Sequence, residues 1–213
     1  MNTGRIVLIA ALALLVFWGI GAYNRLVRLR SAVIAAWGPI DSQLRRRQAL
    51  AIELAELLSR EADDVGLDAE ARSALQSVLA ATRQAQAAAE HVQVRPVHVG
   101  AVQSLGLAEQ VLDGALRPLR GLIDGRPSLL EEPARGERVQ ALLVGLHEAD
   151  AQLAFVRRLF NEAVVAFNEA AHEWPTRLVA GVFGFRPAAP WQAPAPERSL
   201  ESGFAPSSFG ERP

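Results

Sequence analysis

The residues best suited to metal chemistry are four histidines, His91, His98, His147 and His172; there are no cysteines. A helical metal site needs ligands three or four residues apart, so that they project from one face. No two histidines have that spacing. Glu169 and His172 are three apart, as in a di-iron bundle, but such a centre takes a second Glu–His pair and further carboxylates. No second pair is present, so the histidines are expected to be solvated or to cap helices. The lack of cysteine excludes disulfides, thiolate zinc, iron–sulfur clusters and thiol nucleophiles. Serines are scattered without a GxSxG elbow, and no Gly-rich loop follows a strand, so acyl transfer and phosphate cradling lack their machinery. No cofactor and no enzymatic activity are expected.

The run Arg45-Arg46-Arg47 is the densest basic cluster. It is short and has few aromatics around it, and the formal net charge is -1, which argues against nucleic acid. All 22 basic residues are Arg. One polar set does stand out. Asp150 and Arg157 share one heptad position of a long helix, and Asn161 and Asn168 share another, both bordering its apolar stripe. Asp41, Gln43 and Arg47 stand on or beside the matching stripe of the first helix. These seven residues are expected to form a structural network, for example Asp41 with Arg157, that sets the register of the two longest helices.

The elements that must position this set are helical. Ile6 to Ala22 is an uninterrupted apolar run bounded by Arg5 and Arg25. At 1.5 Å per residue it covers roughly 25 Å, close to the minimum for a spanning helix. A cleaved signal peptide is the rival reading, since Gly19, Gly21 and Ala22 are small. Against it, Arg25, Arg28 and Arg30 follow at once, and the helical pattern runs on without a break. A retained anchor is expected. Its charge asymmetry places the bulk of the chain on the cytoplasmic side.

From residue 23 to 62 the apolar stripe Leu26, Leu29, Val33, Trp37, Ile40, Leu44, Ala51, Leu54, Leu58 has helical spacing, with Arg47 as its exception. Gly38-Pro39 predicts a kink within it, not a stop. A second helix, about 68–93, is Ala-rich and has Asp68 at its N-cap. A third, about 99–124, carries Leu105, Ala108, Leu112, Ala115, Leu119 and Leu122, with Pro118 expected to bend or shorten it. The fourth has apolar residues at alternating three and four spacing from Val139 through Leu142, Leu146, Ala149, Leu153, Val156, Phe160, Ala163, Phe167 and Ala170 to Trp174. There is no strand signal. The expected fold is all-α: one transmembrane helix continuing into an elongated antiparallel bundle of about four long helices.

Residues 1–22 form the anchor in this division, 23–186 the bundle and 187–213 a disordered, Pro-rich tail. The segment Thr176 to Phe185 is expected to pack Leu178, Val182, Phe183 and Phe185 on the bundle, or else to dip into a membrane or clasp a partner.

The stretch YNRLVRLRSAVIAAWGPIDSQLRRR from Tyr23 to Arg47 resembles the N-terminal signature of the LemA family. The second resembling block runs from Arg157 to Arg186, through Phe160, Asn161, Phe167, Asn168, Pro175, Gly184 and Phe185. The chain departs from the family pattern at Ala49 to Glu56, where an Asp-Leu-Ile-Pro-Asn-Leu type segment is usual, and at Pro39. The resemblance implies a bacterial membrane protein with an N-terminal helix and a cytoplasmic helical bundle, and it implies no enzymatic activity. The expected partners are the lipid bilayer, through the N-terminal helix, and either an unknown protein or a second copy of the chain. The functional expectation is a scaffold or protein-binding module at the inner membrane. The alternative is a self-associating structural protein of the cell envelope, which the Ala-rich second helix and Gly19-x-Gly21 permit.

Overall fold

A computed structural model describes residues 3–64 and 66–192. Five α-helices follow one another: α1 Thr3–Arg60, α2 Ala69–Val94, α3 Val99–Asp124, α4 Pro133–His172 and α5 Thr176–Val182, with a 3-10 turn at Pro127–Leu130. Among the described residues there are no strands.

The first helix does two jobs without a break. Its N-terminal part is apolar and long enough to cross a membrane, and almost none of that part is buried in the protein. From Ala22 onward the same helix is core: Leu26, Val33, Trp37, Ile40, Leu44, Ala51, Leu54 and Leu58 are buried. Pro39 does not interrupt it, as expected. The pyrrolidine lies on the exposed side, as does Ala35, whose carbonyl loses its partner there and can turn to water.

Local chemistry fixes the other ends. Asp68 caps α2 by accepting the Ala71 amide at 2.8 Å, the N-cap role read from the sequence. The His98 ring caps α3 by accepting the Ala101 amide at 3.3 Å. Pro133 opens α4 at a position where a missing N–H costs nothing. α3 runs through Pro118 to Asp124. Its buried face carries Glu109, Leu116 and Ile123, while Ala115 and Leu122 are only half-buried, so the face is turned slightly from the expected one.

α4 departs from the expected heptad. Its core positions run Val139, Leu142, Leu146, Ala149, Leu153 and Phe160, then Val164, Phe167 and Ala171. Val156 and Ala163 are half-buried, and Trp174 is 78% exposed. The reason is the mismatch between 3.6 and 3.5 residues per turn, which rotates a straight helix by about 20° per heptad. Over forty residues the buried face widens beyond the expected seam: Leu153, Phe160, Phe167 and Ala170 stay buried as expected, and Val164 and Ala171, eleven residues after Leu153 and Phe160, join them.

α1 packs against α4 and α2, and α2 packs against α3. The small buried face of α2 (Ala71, Ala81, Ala85, Ala89) lets its backbone approach both neighbours. The interior divides into two clusters. The one nearer the span holds Trp37, Phe160, Phe167 and Trp191 among aliphatic residues of α1, α4, α5, the end of α2 and the start of α3. The one farther away holds only Ala, Leu, Val and Ile, from α1, α2, α3 and the start of α4.

Two expectations about the C-terminal part need correction. Thr176, Val179 and Ala180 are the buried residues of α5; Phe185 packs on the bundle as expected, while Leu178, Val182 and Phe183 are exposed. The expected unordered tail also begins too early. Residues 187–192 lie against the bundle with Ala188 and Trp191 buried. The remainder of that expectation, 193–213, falls outside the described residues.

Candidate functional site

Arg47 is the exception in the apolar stripe of α1, and it is the centre of the site. Its side chain is 4% exposed, and each guanidinium nitrogen meets a different carboxylate. Nε donates to Asp150 of α4 at 2.6 Å. Nη1 donates to Glu109 and Nη2 to Asp113, both on α3. The Gln48 amide also donates to Glu109, at 3.4 Å. Asp150 is shared, since Arg120 of α3 reaches its other oxygen at 3.2 Å. A planar fork with fixed donor directions suits this three-way arrangement; a lysine ammonium does not match it.

The layer holds two cations, Arg47 and Arg120, against three anions, Glu109, Asp113 and Asp150. That imbalance decides the protonation energetics. Burial works against the Arg47 charge, but Glu109, Asp113 and Asp150 outweigh it and hold the guanidinium above its ordinary value. Glu109 has the opposite fortune. Burial pushes its carboxyl above the ordinary range, Asp113 adds to the push, and Arg47 and Gln48 offset only part of it. One cation divided among three carboxylates is over-compensated; the most buried carboxylate is under-compensated.

The layer lies between the two hydrophobic clusters. It also borders a cleft of 330 Å³ on the α3–α4 side, lined in part by Arg47, Glu109, Asp113, Asp150, Arg157 and Trp191. The far end of the cleft is closed by the C-terminal segment. Asn161 of α4 takes both backbone groups of Trp191, donating to its carbonyl at 3.0 Å and accepting its amide at 2.8 Å. Asn168 does the same for Ala188, at 2.8 and 2.9 Å. Seven residues of helix advance about 10.5 Å. Three residues of polyproline-type backbone advance about 9.3 Å and return to the same face. Pro187 and Pro190 favour that backbone, so the two asparagines and the two clamped residues match in spacing. Arg157 lies over the Trp191 indole, 5.7 Å from its centroid, a cation–π arrangement.

Of the seven residues expected to form one network, the structure joins Arg47 with Asp150 and no other pair among them. The expected Asp41–Arg157 contact is absent. Asp41 faces the α1–α2 side, where it accepts from Arg45 at 2.9 Å and lines a separate cleft of 580 Å³ with Gln86 and Glu90. Arg157 faces the α3–α4 side, so α1 itself separates the two. Gln43 is half-buried, and its Oε1 has no hydrogen-bond partner. Asn161 and Asn168 hold the C-terminal strap instead of a neighbouring helix.

Glu109, Asp113, Arg120 and Trp191 were not foreseen. Glu109 had a readable signal: it lies four residues after Leu105 and three before Leu112, which puts a carboxylate on the buried face of α3 opposite an arginine on the buried face of α1. Among the described residues no cluster of three or more potential metal ligands forms.

No curated protein matches the chain in sequence. The family model described as LemA family matches residues 36–202, a region that contains the whole ionic layer and the strap but not the apolar N-terminal part of α1. That match covers most of the chain, and the chain belongs to the LemA family.

Proposed function

We propose that this protein is a single-span, non-catalytic scaffold of the bacterial inner membrane, with a cytoplasmic bundle that presents long helical faces to a protein partner. The observation that carries this reading is the unbroken course of α1, whose bare apolar end and buried core stripe belong to one rigid helix. A rod of 58 residues extends about 87 Å, so the bundle is carried on the span without a hinge between them.

Charge supports the proposed orientation. Residues 1–60 hold eight Arg against three acids, a net of +5; residues 61–213 hold fourteen Arg against twenty acids, a net of -6. The basic part adjoins the span, as the positive-inside rule asks of a cytoplasmic flank. The polar groups of the site support a non-catalytic role, because the Arg47 layer is occupied with its own salt bridges.

Mild crosslinking in cells followed by purification from membranes tests the proposal. A distinct protein captured in fixed ratio with the full chain is the expected result. Capture of this chain alone, as a homo-oligomer, would overturn the scaffold and favour a self-associating envelope protein. Protease treatment of intact spheroplasts checks the side: the bundle is expected to survive it.

A further inference from the structure

We infer that the segment from Trp174 to Phe183 is a second membrane contact, a foot seated at the lipid–water boundary beside the emerging α1. This rests on the reading of α1 as a membrane span.

Depth comes from α1 itself. Ile6 to Ala22, the apolar run between Arg5 and Arg25, is about 25 Å of helix and just spans the hydrocarbon, so its C-terminal end at Ala22 lies at the bilayer boundary. Tyr23 follows and so stands at the interface, where an amphipathic ring is favoured. The Phe183 ring is 4.8 Å from the Tyr23 ring, centroid to centroid, and Phe185 is 5.8 Å away. The end of α5 is therefore level with the interface. The bundle approaches the bilayer this closely because its core begins at Ala22, the first buried residue of α1.

The outer surface of α5 then has to be explained. The helix is apolar on both sides. Val179 and Ala180 face the bundle, whereas Trp174, Leu178 and Val182, at spacings of four, project outward with exposures of 78%, 60% and 81%. Phe183 is 61% exposed. A short helix that buries one apolar side and still exposes Leu178 and Val182 on another, with Arg177 as its one charge, presents a second apolar surface that calls for an apolar neighbour. The surface continuous with this one is the apolar surface of the span, so the neighbour is lipid. The charge nearby agrees: Arg177 lies in α5, Arg186 follows it, Arg28 and Arg30 come within two turns after Arg25 on α1, and Glu173 is already paired with Arg25 at 3.2 Å. Anionic headgroups suit these arginines. Two contacts with the bilayer fix the tilt and rotation of the rod, which a lone span leaves free.

The absence of native cysteine makes a direct test possible. Full-length Val182→Cys, Leu14→Cys and Gln76→Cys variants are spin-labelled and reconstituted in phosphatidylethanolamine–phosphatidylglycerol vesicles. Collision with oxygen is compared with collision with a water-soluble nickel chelate. The expected result is that Val182→Cys resembles Leu14→Cys, favouring oxygen, while Gln76→Cys favours the chelate. If Leu14→Cys favours the chelate, the span reading fails and the foot falls with it. If Leu14→Cys is in lipid but Val182→Cys favours the chelate, the foot alone is wrong. A Val182→Cys label shielded from both reagents means a protein covers this surface, and that also overturns the foot. Val182 is exposed, so its replacement disturbs no packing.

Discussion

The half of the bundle near the span and the half away from it are built from different materials. The near half packs Trp37 edge-on to Phe160 at 6.3 Å and Phe167 on Phe185 at 6.4 Å, and the strap adds Trp191. The far half contains no aromatic residue; it is a lattice of Ala and Leu between helices that approach closely. Large rings fill the interior where α1, α4, α5 and the strap meet the end of α2 and the start of α3. Small side chains serve where three long helices run side by side. The two halves meet at Arg47. An apolar interface can slide by a turn at modest cost, whereas a guanidinium fitted to three carboxylates on two other helices cannot. We propose that the ionic layer between the halves, and neither core, defines the helical register.

That comparison can be broken in graded steps. The largest effect is expected from Arg47→Met, which leaves Glu109 buried and unpaired. It should cost about 3–5 kcal/mol, and hydrogen exchange should show protection falling in both halves together. Loss confined to one half would mean that the layer belongs to that half alone. Next is Trp191→Ala, which empties a buried indole site for about 3 kcal/mol. Here the loss of protection should stay in the near half, in α4, α5 and the start of α3 where Gly106 faces the indole, with the far ends of α1 and α2 unaffected. Asn168→Ala removes two hydrogen bonds that hold Ala188, a cost of about 1–2 kcal/mol. Limited proteolysis should then cut the strap sooner while the distal helices resist as before.

The smallest effect separates charge from packing within the layer. Because the folded-state carboxyl of Glu109 binds its proton more tightly than the unfolded one, its contribution to stability is full below the ordinary carboxylate range. It declines as pH rises through the raised value. Glu109→Gln cannot ionise, so it should gain on the natural protein as pH rises from 4 toward 7 in parallel denaturant titrations. A growing advantage of the natural protein over that range would show that Arg47 outweighs the burial of Glu109.

Periodicity made most of the fold legible. The α1 stripe, the Asp68 cap and the long α4 follow from apolar spacing and one capping side chain, which are local properties. What escaped was relational. Asp41 and Arg157 both border apolar stripes, but which side of α1 each one faces depends on the placement of α2 and α3. Arg47 was conspicuous as a charge in a core stripe, and Glu109 held the complementary position, yet only their three-dimensional juxtaposition makes them partners. The strap was hidden because a Pro-rich, Ala-rich stretch has no apolar face of its own; its order comes from two asparagines on another element. The turn of the α4 face at its middle was hidden for a geometric reason, since apolar residues at both Ala163 and Val164 do not say which one the helix turns inward.

The central claim is that Arg47 and its carboxylates act as one unit that locks the helices. Unfolding free energies of the full chain in micelles, measured for the natural protein, Arg47→Met, Glu109→Leu and the double variant, test it most directly. Strong coupling is expected: the double variant recovers at least about 2 kcal/mol of the loss caused by Arg47→Met, because the unpaired buried carboxylate is gone. Additive losses in the two single variants would contradict it.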